Sequence, residues 1–76
     1  MEQNKFLENF AAQFEDTDPA EITMSTNFRE LDEWDSLMTL TIIAFVKTNY
    51  QTTINATEIR ACSTTQELYN LILSKQ

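Results

Sequence analysis

The chain has 76 residues, enough for one domain over 1–76 with a single small core and no room for a scaffold plus a large substrate cavity. It contains no glycine and no histidine, which excludes glycine-rich phosphate loops, the usual neutral-pH general base and most zinc sites. Twelve acidic against five basic side chains leave a net charge of −7, a field that repels nucleic acid and anionic membranes and attracts basic proteins. The expectation is a carrier or adaptor rather than an enzyme, with no metal site, no nucleic acid partner and no membrane insertion. Cys62 is the single cysteine and has no internal partner. The chain shows neither a charged-then-apolar leader nor an apolar run of about 18 residues, so a cytoplasmic monomer is expected.

Phe6, Leu7, Phe10, Ala11 and Phe14 recur at helical spacing between polar residues, which predicts an amphipathic first helix over roughly 3–15. Pro19 follows soon after, and the chain should leave the helix before it. Residues 16–34 mix turn formers and charges with Ile22, Met24, Phe28, Leu31 and Trp34, and read as an ordered loop pinned to the core by those five side chains.

Asp35 is a good N-cap for a second helix over Ser36 to Tyr50, because its carboxylate can accept from the free N–H groups of the next turn. Asn55 with Glu58 and Thr64 with Glu67 have capping-box spacing, predicting a short third helix near 56–61 and a fourth near 65–74. Leu68, Leu71 and Ile72 form the inward stripe of the last. Gln51 to Ile54 can also be read as a strand, but no second segment offers it a partner. The expected fold class is therefore all-α, a four-helix bundle with a short third helix and a long loop between the first two.

The second helix carries the most information. At about 100° per residue, Thr39, Ile42, Ile43, Val46 and Tyr50 share one arc and form the predicted core stripe. Leu37, Leu40 and Ala44 cluster on a different side, and Met38 and Phe45 cover a third. A helix that is apolar nearly all round, in a chain too short to surround it, leaves part of its surface for a partner.

At the head of that helix stands Trp34-Asp35-Ser36-Leu37, preceded by Thr26, Phe28 and Leu31 in a Thr-x-Phe-x-x-Leu run. With this motif after a long loop in an acidic chain of this length, the sequence resembles the acyl carrier proteins over essentially its whole extent. The variant resembled is the group with Trp before Asp-Ser-Leu. The resemblance implies that Ser36 is esterified by 4′-phosphopantetheine from coenzyme A, whose thiol carries acyl groups as thioesters for fatty acid, polyketide or related biosynthesis. It implies a phosphopantetheinyl transferase and acyl-loading and acyl-transferring enzymes as partners, with Asp35 helping the transferase hold metal and coenzyme A. A serine in the first turn of a helix is exposed, beside free N–H groups that suit a phosphodiester.

Other residues carry plainer expectations. Trp34 reads as a loop anchor. Glu30, Asp32, Glu33 and Asp35 are solvated surface, or an acidic cluster that steers basic partners. Asp16, Asp18 and Glu21 lack the glycine and spacing of a calcium loop. Cys62 reads as a small half-buried residue with no catalytic role. The partner-binding surface is expected at Leu37, Leu40 and Ala44, with Glu33 at its edge.

The chain departs from the family pattern in two places. Its second helix has no acid after Asp35 and contains Lys47, with Met38 and Thr41 where acids are common, and the usual glycine before Asp-Ser-Leu is missing. The first departure favours a dedicated pathway over general fatty acid synthesis. Two alternatives stand beside the acyl carrier: an aminoacyl or peptidyl carrier, and an unmodified helical interaction module.

Overall fold

A computed structural model describes residues 2–76. The first helix, α1, spans Gln3–Ala11 and buries Phe6, Phe10 and Ala11. It stops short of the expected end at 15. Gln13 N donates to Phe10 O at 3.0 Å and Phe14 N to Ala11 O at 3.1 Å, three-residue bonds that tighten the chain into a turn. The turn brings Phe14 edge-on to Phe10 at 5.2 Å and stacks it on Trp34 at 6.3 Å. Ring packing at one position thus outweighs the helical spacing of the sequence.

The connection after α1 is ordered, as expected, and holds two short 3₁₀ turns at Pro19–Glu21 and Phe28–Glu30. Asp18 caps the first by accepting from Ala20 N at 2.9 Å. Ile22 and Phe28 are buried, and Met24, Leu31 and Trp34 pack half-buried against the core. The indole lies edge-on to Phe28 at 5.1 Å, so Trp34 anchors the loop.

The second helix, α2, runs Ser36–Tyr50. Its C-cap, Gln51, sits in the left-handed region at φ 51° and donates its N–H to Lys47 O at 3.1 Å. Residues 52–55 then run without helix, with Thr52 and Ile54 buried and Thr53 and Asn55 exposed. That is strand-like alternation without a neighbouring strand, so no ladder forms.

The third helix, α3, spans Ala56–Arg60, one residue less than expected, and the fourth, α4, spans Thr65–Lys75, one residue more. Both predicted capping boxes form, Asn55 with Glu58 and Thr64 with Glu67. Lys75 extends α4 because its ammonium is held by Glu58 at 2.6 Å and by Thr53 O at 3.1 Å. In α4 Leu68, Tyr69 and Ile72 are buried, whereas Leu71 is half-buried. Among the described residues the elements are all helical, and the expected bundle holds.

The core stripe of α2 is rotated from the expected one. Met38, Ile42, Phe45 and Val46 are buried, while Thr39, Ile43 and Tyr50 are half-buried. The change amounts to about 60° around the helix. Phe6 explains it, because its ring draws Phe45 inward at 6.2 Å while also meeting Phe10, Tyr50 and Tyr69. A helix apolar all round has no patterned face, so the largest ring that finds partners decides which side goes in. Leu37, Leu40 and Ala44 then lie opposite the core.

Cys62 is buried rather than half-buried, at 6 % exposure. Burial pushes its thiol pKa up, and the nearby Glu67 charge adds to this. The thiol is held in its unreactive form.

Candidate functional site

The two helix N-termini of α2 and α4 are built differently. In α4 every free donor of the first turn is taken. Thr65 N donates to Thr26 O at 3.1 Å, Gln66 N to Met24 O at 2.9 Å and Glu67 N to Thr64 Oγ1 at 3.3 Å. In α2 Met38 N donates to Asp35 Oδ1 at 2.8 Å and Thr39 N to Asp35 O at 3.0 Å. The N–H groups of Ser36 and Leu37 have no acceptor among the described residues. Asp35 and Ser36 are exposed, and the Ser36 hydroxyl is likewise without a protein partner. The result is a hydroxyl in water beside two unused donors at the positive end of a fifteen-residue helix.

The other serines have different settings. Ser74 donates its hydroxyl to Leu71 O at 2.7 Å in the last turn of α4, where the helix dipole is negative. Ser63 precedes α4 and gives its N–H to Glu67 Oε1. Ser25 lies in a turn where its N–H meets Thr23 Oγ1 at 3.2 Å.

A cleft of about 320 Å³ opens beside Ser36 between the end of α1 and the start of α2. It is lined by Gln13, Glu15, Asp16, Glu33, Asp35, Leu37, Met38 and Thr41. Glu33 and Asp16 also line a second cleft, of about 340 Å³, with Thr17, Glu21, Leu31 and Asp32. Glu33 forms part of the wall between them, because its Oε1 accepts from Thr17 Oγ1 at 2.8 Å and from Asp16 N at 3.1 Å. The sequence reading missed that tie. A carboxylate bonded to a turn sixteen residues upstream leaves no periodic signal.

Residues 15–35 hold eight of the twelve acids and one cation, Arg29, so this stretch accounts for the whole net charge. Along α2 the outward face offers Leu37 at 70 % and Leu40 at 62 % exposure, with exposed Ala44 between them and Lys47. A family model described as a phosphopantetheine attachment site matches residues 5–72. The chain belongs to that family. No curated protein and no solved structure matches it.

As a member, the protein carries 4′-phosphopantetheine covalently and is a carrier rather than an enzyme. It works with phosphopantetheinyl transferases and biosynthetic enzymes. Membership also decides against the unmodified interaction module. No helix among the described residues is long and apolar enough to cross a membrane.

Proposed function

We propose that the protein is an acyl carrier, a single domain over 1–76, with 4′-phosphopantetheine attached at Ser36. The observation that carries the assignment is the combination at the start of α2: an exposed hydroxyl beside the unused N–H groups of Ser36 and Leu37. Those donors fit a phosphodiester, since a helix N-terminus favours an anion by position and by charge. Asp35 holds the turn open to it by capping at Met38 rather than at residue 36 or 37. The attached group supplies a thiol that holds cargo as a thioester.

The chain's own residues present the arm. The rigid α2 fixes the direction from which Ser36 is approached, and Leu37, Leu40 and Ala44 form the surface on which an enzyme reaching Ser36 lands. Glu33 and Asp35 belong to the acidic rim that draws basic partners toward it. Two leucines buried at an interface contribute roughly 1.5–3 kcal/mol each before association costs, against about 0.2–1 kcal/mol for an exposed ion pair. Affinity therefore rests on the apolar contacts, and charge sets approach. Acyl cargo is favoured over aminoacyl cargo by the Asp35-Ser36-Leu37 form, and the composition favours a cytoplasmic monomer.

Apo-protein incubated with coenzyme A, magnesium and a promiscuous phosphopantetheinyl transferase should gain one arm, and Ser36→Ala should gain none while keeping its fold. An exposed first-turn substitution of this kind changes stability within about 0.5 kcal/mol. An arm on the Ser36→Ala protein, seen by intact mass, would refute the assignment. Intact mass of the protein purified from its own host reads the cargo, and an amino acid on the arm would replace the acyl reading.

A further inference from the structure

The outward face of α2 is uncharged for eleven residues, from Ser36 through Val46, and is bounded by charges of opposite sign. At the Ser36 end lies Asp35, with Glu15, Asp16 and Glu33 lining the same cleft. At the far end Lys47 is exposed on nearly the same side of the helix as Leu40. Its ammonium meets Thr53 Oγ1 at 3.2 Å and pairs with no carboxylate among the described residues. Lys75, by contrast, is held by Glu58. Lys47 is thus a cation left available about 18 Å along the helix from Asp35.

We infer that Lys47 is the polarity key of this docking face: the phosphopantetheinyl transferase that modifies the protein seats Leu37 and Leu40 in an apolar cleft bearing a cation near its catalytic mouth, opposite Asp35, and a carboxylate opposite Lys47. The inference rests on the assignment of Ser36 and on the apolar face. It adds the orientation, because leucines alone permit α2 to dock in either direction, and only one direction brings Ser36 to the catalytic centre. Like-signed charges meet at both ends in the reversed pose. A second copy of this chain is a poorer occupant. Two leucines and an alanine fall well short of the roughly 1,200 Å² of total burial that a stable interface needs, and two chains at −7 repel.

The test is steady-state arm transfer from coenzyme A by the host's own transferase to apo-protein variants of matched thermal stability. Lys47→Glu should raise KM about five- to tenfold with kcat retained, and Lys47→Arg should restore the parent value. Lys5→Glu makes the same change in net charge on α1, away from this face, and should alter KM by less than about twofold. Leu40→Ala should raise KM about tenfold. If Lys47→Glu behaves like Lys5→Glu, the inference falls while the Ser36 assignment stands. If Leu40→Ala is transferred normally, the face itself is wrong. An arm on Ser36→Ala separates failure of the underlying assignment from both. A dimer in sedimentation at assay concentration that Lys47→Glu dissolves would overturn the inference in favour of a second copy.

Discussion

Glu67 shows how one side chain can serve a helix end twice. Its Oε1 accepts from Thr64 N at 3.0 Å and from Ser63 N, and these two bonds hold its carboxyl below the ordinary value of 4.5. Glu58 is lowered too, chiefly by the hydrogen bond from Lys75, with Asn55 N also contributing. A carboxyl whose folded pKa is depressed contributes stability that is present above the unfolded value and lost as pH falls through the folded one. Glu67→Gln keeps the capping geometry and loses the charge. The variant should melt below the parent at pH 7, and the gap should close as pH drops below about 4.5, toward the depressed folded value. Thermal melts of both proteins across pH 3–7, at one fixed ionic strength, check the sign. A constant gap would mean that the bonds to Ser63 and Thr64 do not depend on the charge.

At the scale of elements, α2 ends on a residue ill suited to its conformation. Gln51 occupies the left-handed region in a chain without glycine. For an L-residue with a Cβ that conformation costs roughly 1–2 kcal/mol, less what its side chain recovers by donating to Thr48 O at 3.0 Å. Gln51→Gly should therefore stabilise the protein by about 1 kcal/mol, a rise of about 4–8 °C in Tm for a domain of this size. A fall in Tm would show that the Thr48 bond and the stiffer unfolded chain outweigh the steric relief. Helix ends set by side-chain chemistry were legible in the sequence: Asp35, Asn55 and Thr64 each cap where their spacing says they should. The end of α1 and the facing of α2 were not. Both are decided by rings from distant segments, Trp34 on Phe14 and Phe6 on Phe45, and no local pattern encodes them. The exposed first-turn position of Ser36 was legible because a cap, a hydroxyl and a long helix are contiguous. The wall made by Glu33 and the loop carbonyls that close α4 were not, because those partners lie sixteen to forty-two residues apart.

The net charge of the whole molecule comes from one stretch of its chain. Residues 15–35 carry its net charge, and the remaining acids and bases balance. Folding draws this stretch into a body of 29 × 25 × 20 Å, so its carboxylates repel over distances comparable to the screening length at physiological salt, about 8 Å. Raising salt from a few millimolar to physiological strength should raise Tm, with magnesium effective at lower concentration than sodium. An unchanged Tm across that range would mean the acids are too dispersed in the fold to strain it.

Met24 O and Thr26 O bond to Gln66 N and Thr65 N, so the long connection and the first turn of α4 share their hydrogen bonds. Neither can fray without stranding polar groups of the other, which makes them a single cooperative unit in local unfolding. Among the described residues the first-turn N–H groups of α2 bond only to Asp35. The turn proposed to anchor the arm therefore shares no backbone hydrogen bond with that unit and is held instead by its own cap and by Met38 in the core. An enzyme that strains the turn bearing Ser36 pulls on none of the hydrogen bonds that join the loop to the last helix.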